Sequence, residues 1–303
     1  MANGSVEQAR ETLALPLEPA TWRARAEAHR RRVADWVEPH LERRGRGAAH
    51  PVEDFLFSYY GYSPGKLRKW HPGAGVVLLG ADARDFGRDY LDTPEGAVLD
   101  VASLMTKRKA SVEFTAALLA ATAARPAHFG CFGMHEWAMV YRSQEIRHSA
   151  WPLRLDAEEI AQVVEARGVR CSHFDAFRFF TPEARPLNVL QPTRERQTEL
   201  EQPGCLHANM DLYKWAFKLS PLISSELVAD CFALARDIRA VDMRASPYDL
   251  STLGHEPIPI ETPEGRAEYA SEQRGFAERA QPLRQRLSDA CERLLDTTRS
   301  AVI

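Results

Sequence analysis

From Trp22 to Arg44 the apolar side chains Trp22, Ala26, Val33, Trp36, Val37 and Leu41 recur with an approximate helical period, and arginines fill the other face. The pattern predicts a helix that docks by its tryptophans. Residues 50–79 alternate aromatic and cationic groups, passing through Lys66-Leu-Arg-Lys-Trp-His-Pro-Gly-Ala-Gly into a β-type run, Val76 to Leu79. A core helix is predicted from about Thr106 to Ala124, ended by Pro126, because proline disfavours helical geometry in the residue before it. Asp156 and Glu159 form a capping pair and Gly168 supplies a C-terminal stop, which predicts a helix between them.

Val169 to Phe180 is rich in β-formers and predicts a strand with Cys171, His173, Asp175, Phe177 and Phe179 on one face, opposite Arg170, Phe174 and Arg178. Helices follow at His207 to Leu219 and Ser224 to Asp242. A charged helical stretch runs from Pro263 onward with a break near Pro282. The whole reads as a mainly α fold with a minor β component, a compact helical domain over residues 1–303. Residues 1–99 form a candidate N-terminal subdomain and 100–303 a central and C-terminal helical part.

Charge changes the picture little: 39 basic against 42 acidic residues leave a formal −3, so no global positive field attracts nucleic acid, and any such contact must use a local patch. The longest apolar run, Ala116 to Ala124, falls short of the roughly 20 residues that cross a bilayer, and no apolar signal core precedes it. Five widely spaced cysteines without a C-x-x-C pair indicate reduced thiols. A cytoplasmic location without membrane partners is the expectation.

Chemistry concentrates in residues 128–148, where three histidines, two glutamates and two arginines lie among aromatics and glycines. Glu145 and His148 form E-x-x-H, a di-iron ligand spacing on a helix, but the chain carries no second such pair. On a strand, His173 and Asp175 would stand about 7 Å apart at Cα, two members of a two-histidine, one-carboxylate iron triad that His207 would complete. Cys171-x-His173 and Cys205-x-His207 supply an alternative tetrahedral zinc set. Glu136, next to His135, and Asp211, on a predicted helix with Tyr213, Lys214 and Trp215, offer carboxylates beside aromatics. That combination suits cleavage of a glycosidic bond through an oxocarbenium-like state, with Asp175 a third candidate. From Asp237 to Asp249, Asp and Arg alternate at spacings that one helix face cannot hold, so several of these charges must point inward.

The strings HFGCFGMHEWAMVYR, CSHFDAFRFFTPEARPLN, EQPGCLHANMDLYKW and DMRASPYDL, with HPVEDFLFSYYGY and RKWHPGAG upstream, resemble a bacterial, chiefly actinobacterial, family labelled 3-methyladenine DNA glycosylase, over about residues 20–290. The resemblance implies a DNA-repair N-glycosylase that hydrolyses the N-glycosidic bond of alkylated purines without a cofactor. Under that reading Glu136, Asp175, Asp211 and His135 are the catalytic candidates. Tyr59, Tyr60, Trp70, Arg178, Tyr213 and Trp215 would contact substrate, and Arg30 to Arg32, Arg43, Arg44, Arg46 and Lys66 to Lys69 would contact DNA. Two alternatives stand beside it: an iron or zinc enzyme acting on a small molecule through His135, His173, Asp175 and His207, and a non-enzymatic ligand-binding protein.

Overall fold

The computed structural model describes residues 15–144, 146 and 150–300. The Glu145–His148 pair lies outside the described residues. The chain opens with strand β1 (Leu15–Leu17) and helix α1 (Pro19–Gly45), continues through two short helices, α2 (Phe55–Tyr59) and α3 (Pro64–Arg68), and enters β2 (Val76–Leu79). After α4 (Ala83–Phe86), strands β3 (Tyr90–Asp92) and β4 (Gly96–Leu99) complete a four-stranded sheet of order β1-β2-β4-β3. Strand β1 runs parallel to β2, and the other two pairings are antiparallel, with Val77 opposite Val98 and Tyr90 opposite Leu99.

The rest is helical: α5 (Val101–Ala123), α6 (Met134–Val140), α7 (Ala157–Arg167), α8 (Phe174–Phe177), α9 (Gln197–Leu200), α10 (Leu206–Met210), α11 (Leu212–Leu219), α12 (Ser225–Arg244) and α13 (Pro263–Ser300). The fold is mainly α with a minor β component. Helix α12 is its centre, packed against α10, α11, α13 and α1. Its buried positions include Leu227, Cys231, Phe232, Ala235, Ile238, Arg239 and Asp242, which share one broad face, while Glu226, Asp230, Asp237 and Arg244 lie on the half-buried opposite side. The long helices α5 and α13 pack along one another.

Several local expectations hold. Asp156 and Glu159 form the reciprocal capping box, and Gly168 ends α7 in a left-handed conformation. Others are corrected. The β-rich stretch 169–180 is not a strand: its pairing is one bridge, Val169 to Asn188, and His173 caps the short helix α8. The Asn188 amide takes the place of a partner strand, accepting from the Cys171 N–H at 2.7 Å and donating to its carbonyl at 2.9 Å. Hydrogen bonds with a side chain thus satisfy this backbone and leave the chain free to turn. The helix expected at His207 to Leu219 is two helices meeting at Asp211, and α13 runs through Pro282 without ending.

The junction between sheet and helices carries a pH-dependent element. His71 is buried, with Nδ1 3.0 Å from the Tyr90 hydroxyl, and burial, with help from Lys69, lowers its pKa from 6.5 to about 4. The folded protein therefore keeps His71 neutral, whereas the unfolded chain takes up its proton below about pH 6.5. Stability contributed above pH 6.5 is lost as pH falls toward 4, by roughly 3 kcal/mol. Urea unfolding of the native protein and His71→Gln at pH 7, 5.5 and 4.5 checks this. The variant is expected to lose less stability with acid, and equal slopes would show that His71 is charged in the fold.

Candidate metal centre

Three histidine rings lie in a row inside the helical part. His135 comes from the first turn of α6, His207 from α10, and His173 from the cap of α8. The His135 and His207 ring centroids are 4.2 Å apart at 86°, and those of His207 and His173 are 5.4 Å apart. Tight backbone turns set this arrangement. Phe132 and Gly133 adopt successive left-handed conformations that turn the chain into α6, and a Cβ at Gly133 would meet the Tyr269 ring. Gly204 passes so close to His128 that a Cβ would come within 2.7 Å of its carbonyl oxygen, which fixes the entry to α10.

Buried acids flank the row at both ends. At the His135 end, its Nε2 lies 3.3 Å from Asp242 Oδ1 and 3.7 Å from Glu136 Oε1. Arg239 Nη1 donates to both acids, to Glu136 Oε1 at 2.9 Å and to Asp242 Oδ2 at 3.1 Å, and its guanidinium sits over the Phe55 ring. At the His173 end, Nε2 lies 3.3 Å from Asp211 Oδ2 and 3.6 Å from Glu201 Oε1. The Lys214 ammonium joins Asp211 at 2.8 Å to Asp175 at 2.6 Å, and the Tyr60 hydroxyl donates to Asp211 Oδ1 at 2.8 Å.

Of four buried carboxylates, Glu136 and Asp242 share Arg239, Asp211 holds Lys214, and that of Glu201 has no fixed cation among the described residues in contact with it. The deficit falls on the imidazoles. Burial opposes charge on His135, but Asp242 and then Glu136 outweigh it and raise its pKa to about 9. Burial likewise opposes charge on His173, and Glu201 and Asp211 raise its pKa. Desolvation, with the charged His135 beside it, pushes His207 the other way, to about 3, and it stays neutral. Asp211 is held ionised against burial by Lys214 and His173. Burial raises the pKa of Glu201, with His173 opposing.

Ligand atoms of His135, His207 and Asp242 all lie within 4.8 Å of one another, in the described residues the one group of three that could hold a metal ion. His135 Nε2 and Asp242 Oδ1 are buried and form no well-aligned hydrogen bond, facing each other at 3.3 Å, so an ion placed between them would meet atoms that the protein leaves poorly satisfied. Half-buried His207 and buried His135 line a cavity of about 20 Å³, with Cys131, Cys171, Cys205, Met134, Arg170 and Tyr269 among its other walls. Such a space holds about one water molecule. The five cysteines are free, and burial pushes the Cys171 thiol up to about 12, so it is a neutral wall of this cavity.

The sequence-based candidates are thus distributed over connected but distinct positions. His135 and His207 come together, but their carboxylate partner is Asp242, not Asp175, which Lys214 and Arg178 engage instead. The strand face expected to align His173 with Asp175 does not form, and His173 turns to Asp211 and Glu201. Cys171 and Cys205 line the cavity without joining a four-ligand zinc set. Of the expected substrate contacts, Trp70, Tyr213 and Trp215 are core residues, Tyr60 is tied to Asp211, Tyr59 is half-buried, and Arg178 is exposed. Asp242 and Arg239 were signalled only as inward-pointing charges of the Asp237–Asp249 segment, and nothing local marked Glu201.

Comparison with protein-family models, with curated proteins and with solved structures finds no match. No helix among the described residues is long and apolar enough to cross a membrane.

Proposed function

We propose that this protein is a metal-dependent enzyme acting on a small molecule, with one iron or zinc ion held by His135, His207 and Asp242. The observation that carries the reading is the convergence of these three ligand atoms at a site where His135 Nε2 and Asp242 Oδ1 are buried without a well-formed hydrogen bond. Two imidazoles and one carboxylate on one side of an ion leave positions open, as in non-haem iron(II) oxygenases, and the three-ligand catalytic zinc sites keep their fourth position for water or substrate. The open positions here would face the small cavity beside His135 and His207. Bound there, the ion supplies Lewis acidity toward an oxygen atom. Arg239 orients Asp242 through a charge-assisted hydrogen bond, the kind of outer contact that fixes a metal-binding carboxylate.

Removal of alkylated purines from DNA, the activity that the family resemblance implies, draws less support. Each carboxylate named for it is already engaged: Glu136 by Arg239, Asp211 by Lys214 and Tyr60, Asp175 by Lys214 and Arg178. Much of the basic surface named for DNA is paired as well: Arg30 with Glu27, Arg32 with Asp230, Arg43 with Asp54 and Arg68 with Glu38.

The test is elemental analysis of purified protein after equilibration with iron(II) or zinc and removal of free ions. About one ion per chain is expected, lost in His207→Ala and Asp242→Asn and retained in His173→Ala. Protein that stays folded and binds neither ion would overturn the reading. Base release from methylated DNA, abolished by Asp211→Asn, would then restore the glycosylase alternative.

A further inference from the structure

A second cleft, of about 450 Å³, opens on the other side of the loop that carries His128 and Phe129, between the end of α5 and the middle of α13. Three arginines, Arg125, Arg274 and Arg284, and one acid, Glu278, line it, with Phe129, Gln281 and Ser288 among the other walls. Arg125 is committed to main-chain carbonyls of Ala121, Thr198 and Glu201. Arg274 is exposed, lies over the Phe129 ring at 5.6 Å and forms no ion pair with a described residue.

Arg284 is the unusual member. It is 3% exposed, yet no carboxylate among the described residues comes within ion-pair distance; its hydrogen bond goes to the neutral Asn209 side chain, and its Nε is buried without a partner. Glu201 acts on it only from a distance, and burial lowers its pKa. A guanidinium removed from water without a counter-charge is costly, and structures seldom retain one unless an anion supplies the missing charge. The fork of Arg284 is built for bidentate contact with a carboxylate or phosphate, and Arg274 adds a second, exposed fork. The volume matches a small-molecule pocket rather than a single ion.

We propose that this cleft binds a small, multiply charged anion, a phosphate ester or a di- or tricarboxylate, with Arg284 at its base and Arg274 at its mouth. The site is separate from the metal centre and does not depend on it. It touches the same helix, however: Asn209, the partner of Arg284, lies two residues after His207 on α10.

Titration calorimetry of the full chain with inorganic phosphate and with citrate, at fixed ionic strength, tests the assignment. One site per chain is expected. Affinity should fall at least tenfold in Arg274→Ala and in Arg284→Gln. It should be unchanged in Arg286→Ala, an exposed arginine of the same helix that pairs with Asp230 outside the cleft, and in His207→Ala. Arg274→Ala alters only exposed surface, so it carries the test if Arg284→Gln does not fold. Preference for phosphate or citrate distinguishes the two chemical sources. Two results would overturn the proposal: no binding to folded protein, or binding that Arg274→Ala leaves intact, which would mark non-specific attraction or coordination at the metal centre.

Discussion

Arg239→Leu should cost about 3–5 kcal/mol of stability, the range for breaking a buried ion pair by removing one partner. The guanidinium is 2% exposed and donates to Glu136 and Asp242, both themselves buried. Leucine fills much of the volume and restores the packing under Phe55, so lost contact area is a minor part of the cost. What remains is two carboxylates in a dry interior with His135 as their one adjacent cation. Arg239→Lys should recover only part of the loss, because a single ammonium does not present the planar fork that spans two acceptors. Urea unfolding at pH 7 measures both. The metal reading adds a specific expectation: zinc or iron(II) should restore stability to Arg239→Leu, because a cation at His135, His207 and Asp242 offsets the charge left behind. A loss below about 1 kcal/mol for Arg239→Leu would show that water reaches these acids and screens them.

The sequence displayed much of this arrangement and misdirected the remainder for identifiable reasons. Helix α7 was legible because its capping box, its apolar stripe and its terminal glycine are all local signals. The core of α12 was legible for the same reason, through Leu227, Cys231, Leu234 and Ile238 at helical spacing. The stretch 169–180 misled because its β propensity is real, but Asn188, 17 residues after Cys171, supplies the hydrogen bonds a partner strand would have given. Propensity yields to such tertiary pairing.

At the site, His135 and His207 were both visible as candidates, whereas their carboxylate partner was not. Asp242 follows His207 by 35 residues and belongs to a different helix, so no spacing rule connects them. The one sequence clue was that Asp237, Arg239, Asp242 and Arg244 cannot all share a solvated helix face. In the fold, Arg239 and Asp242 turn inward while Asp237 and Arg244 pair outward with Arg279 and Glu268. The pairing of inward charges is a property of how α6, α10 and α12 meet, and that meeting is a tertiary fact.

His207→Ala should separate a metal ligand from a structural filler, because the two roles predict different dependence on added metal. In metal-free protein His207 is neutral, its ring contacts those of His135 and His173, and its side chain forms no hydrogen bond with a described residue. Its truncation there removes packing but also relieves the crowding of a neutral ring against the charged His135, so a loss of at most 1–2 kcal/mol is expected. With metal bound, the native protein gains about 4 kcal/mol at a free ion concentration a thousand times the dissociation constant, and the variant should gain almost none. The difference between the two gains is the coupling between His207 and the ion, and unfolding curves at the four corners of that cycle measure it. His135→Ala is less diagnostic, since His135 bridges Asp242 and Glu136 and its loss destabilises the protein with or without metal. A coupling below about 1 kcal/mol for His207 would leave the row of rings as a buried charge network and nothing more. A coupling near 4 kcal/mol requires that the ion touch the imidazole, because in the metal-free protein this side chain has no bond of that strength to lose.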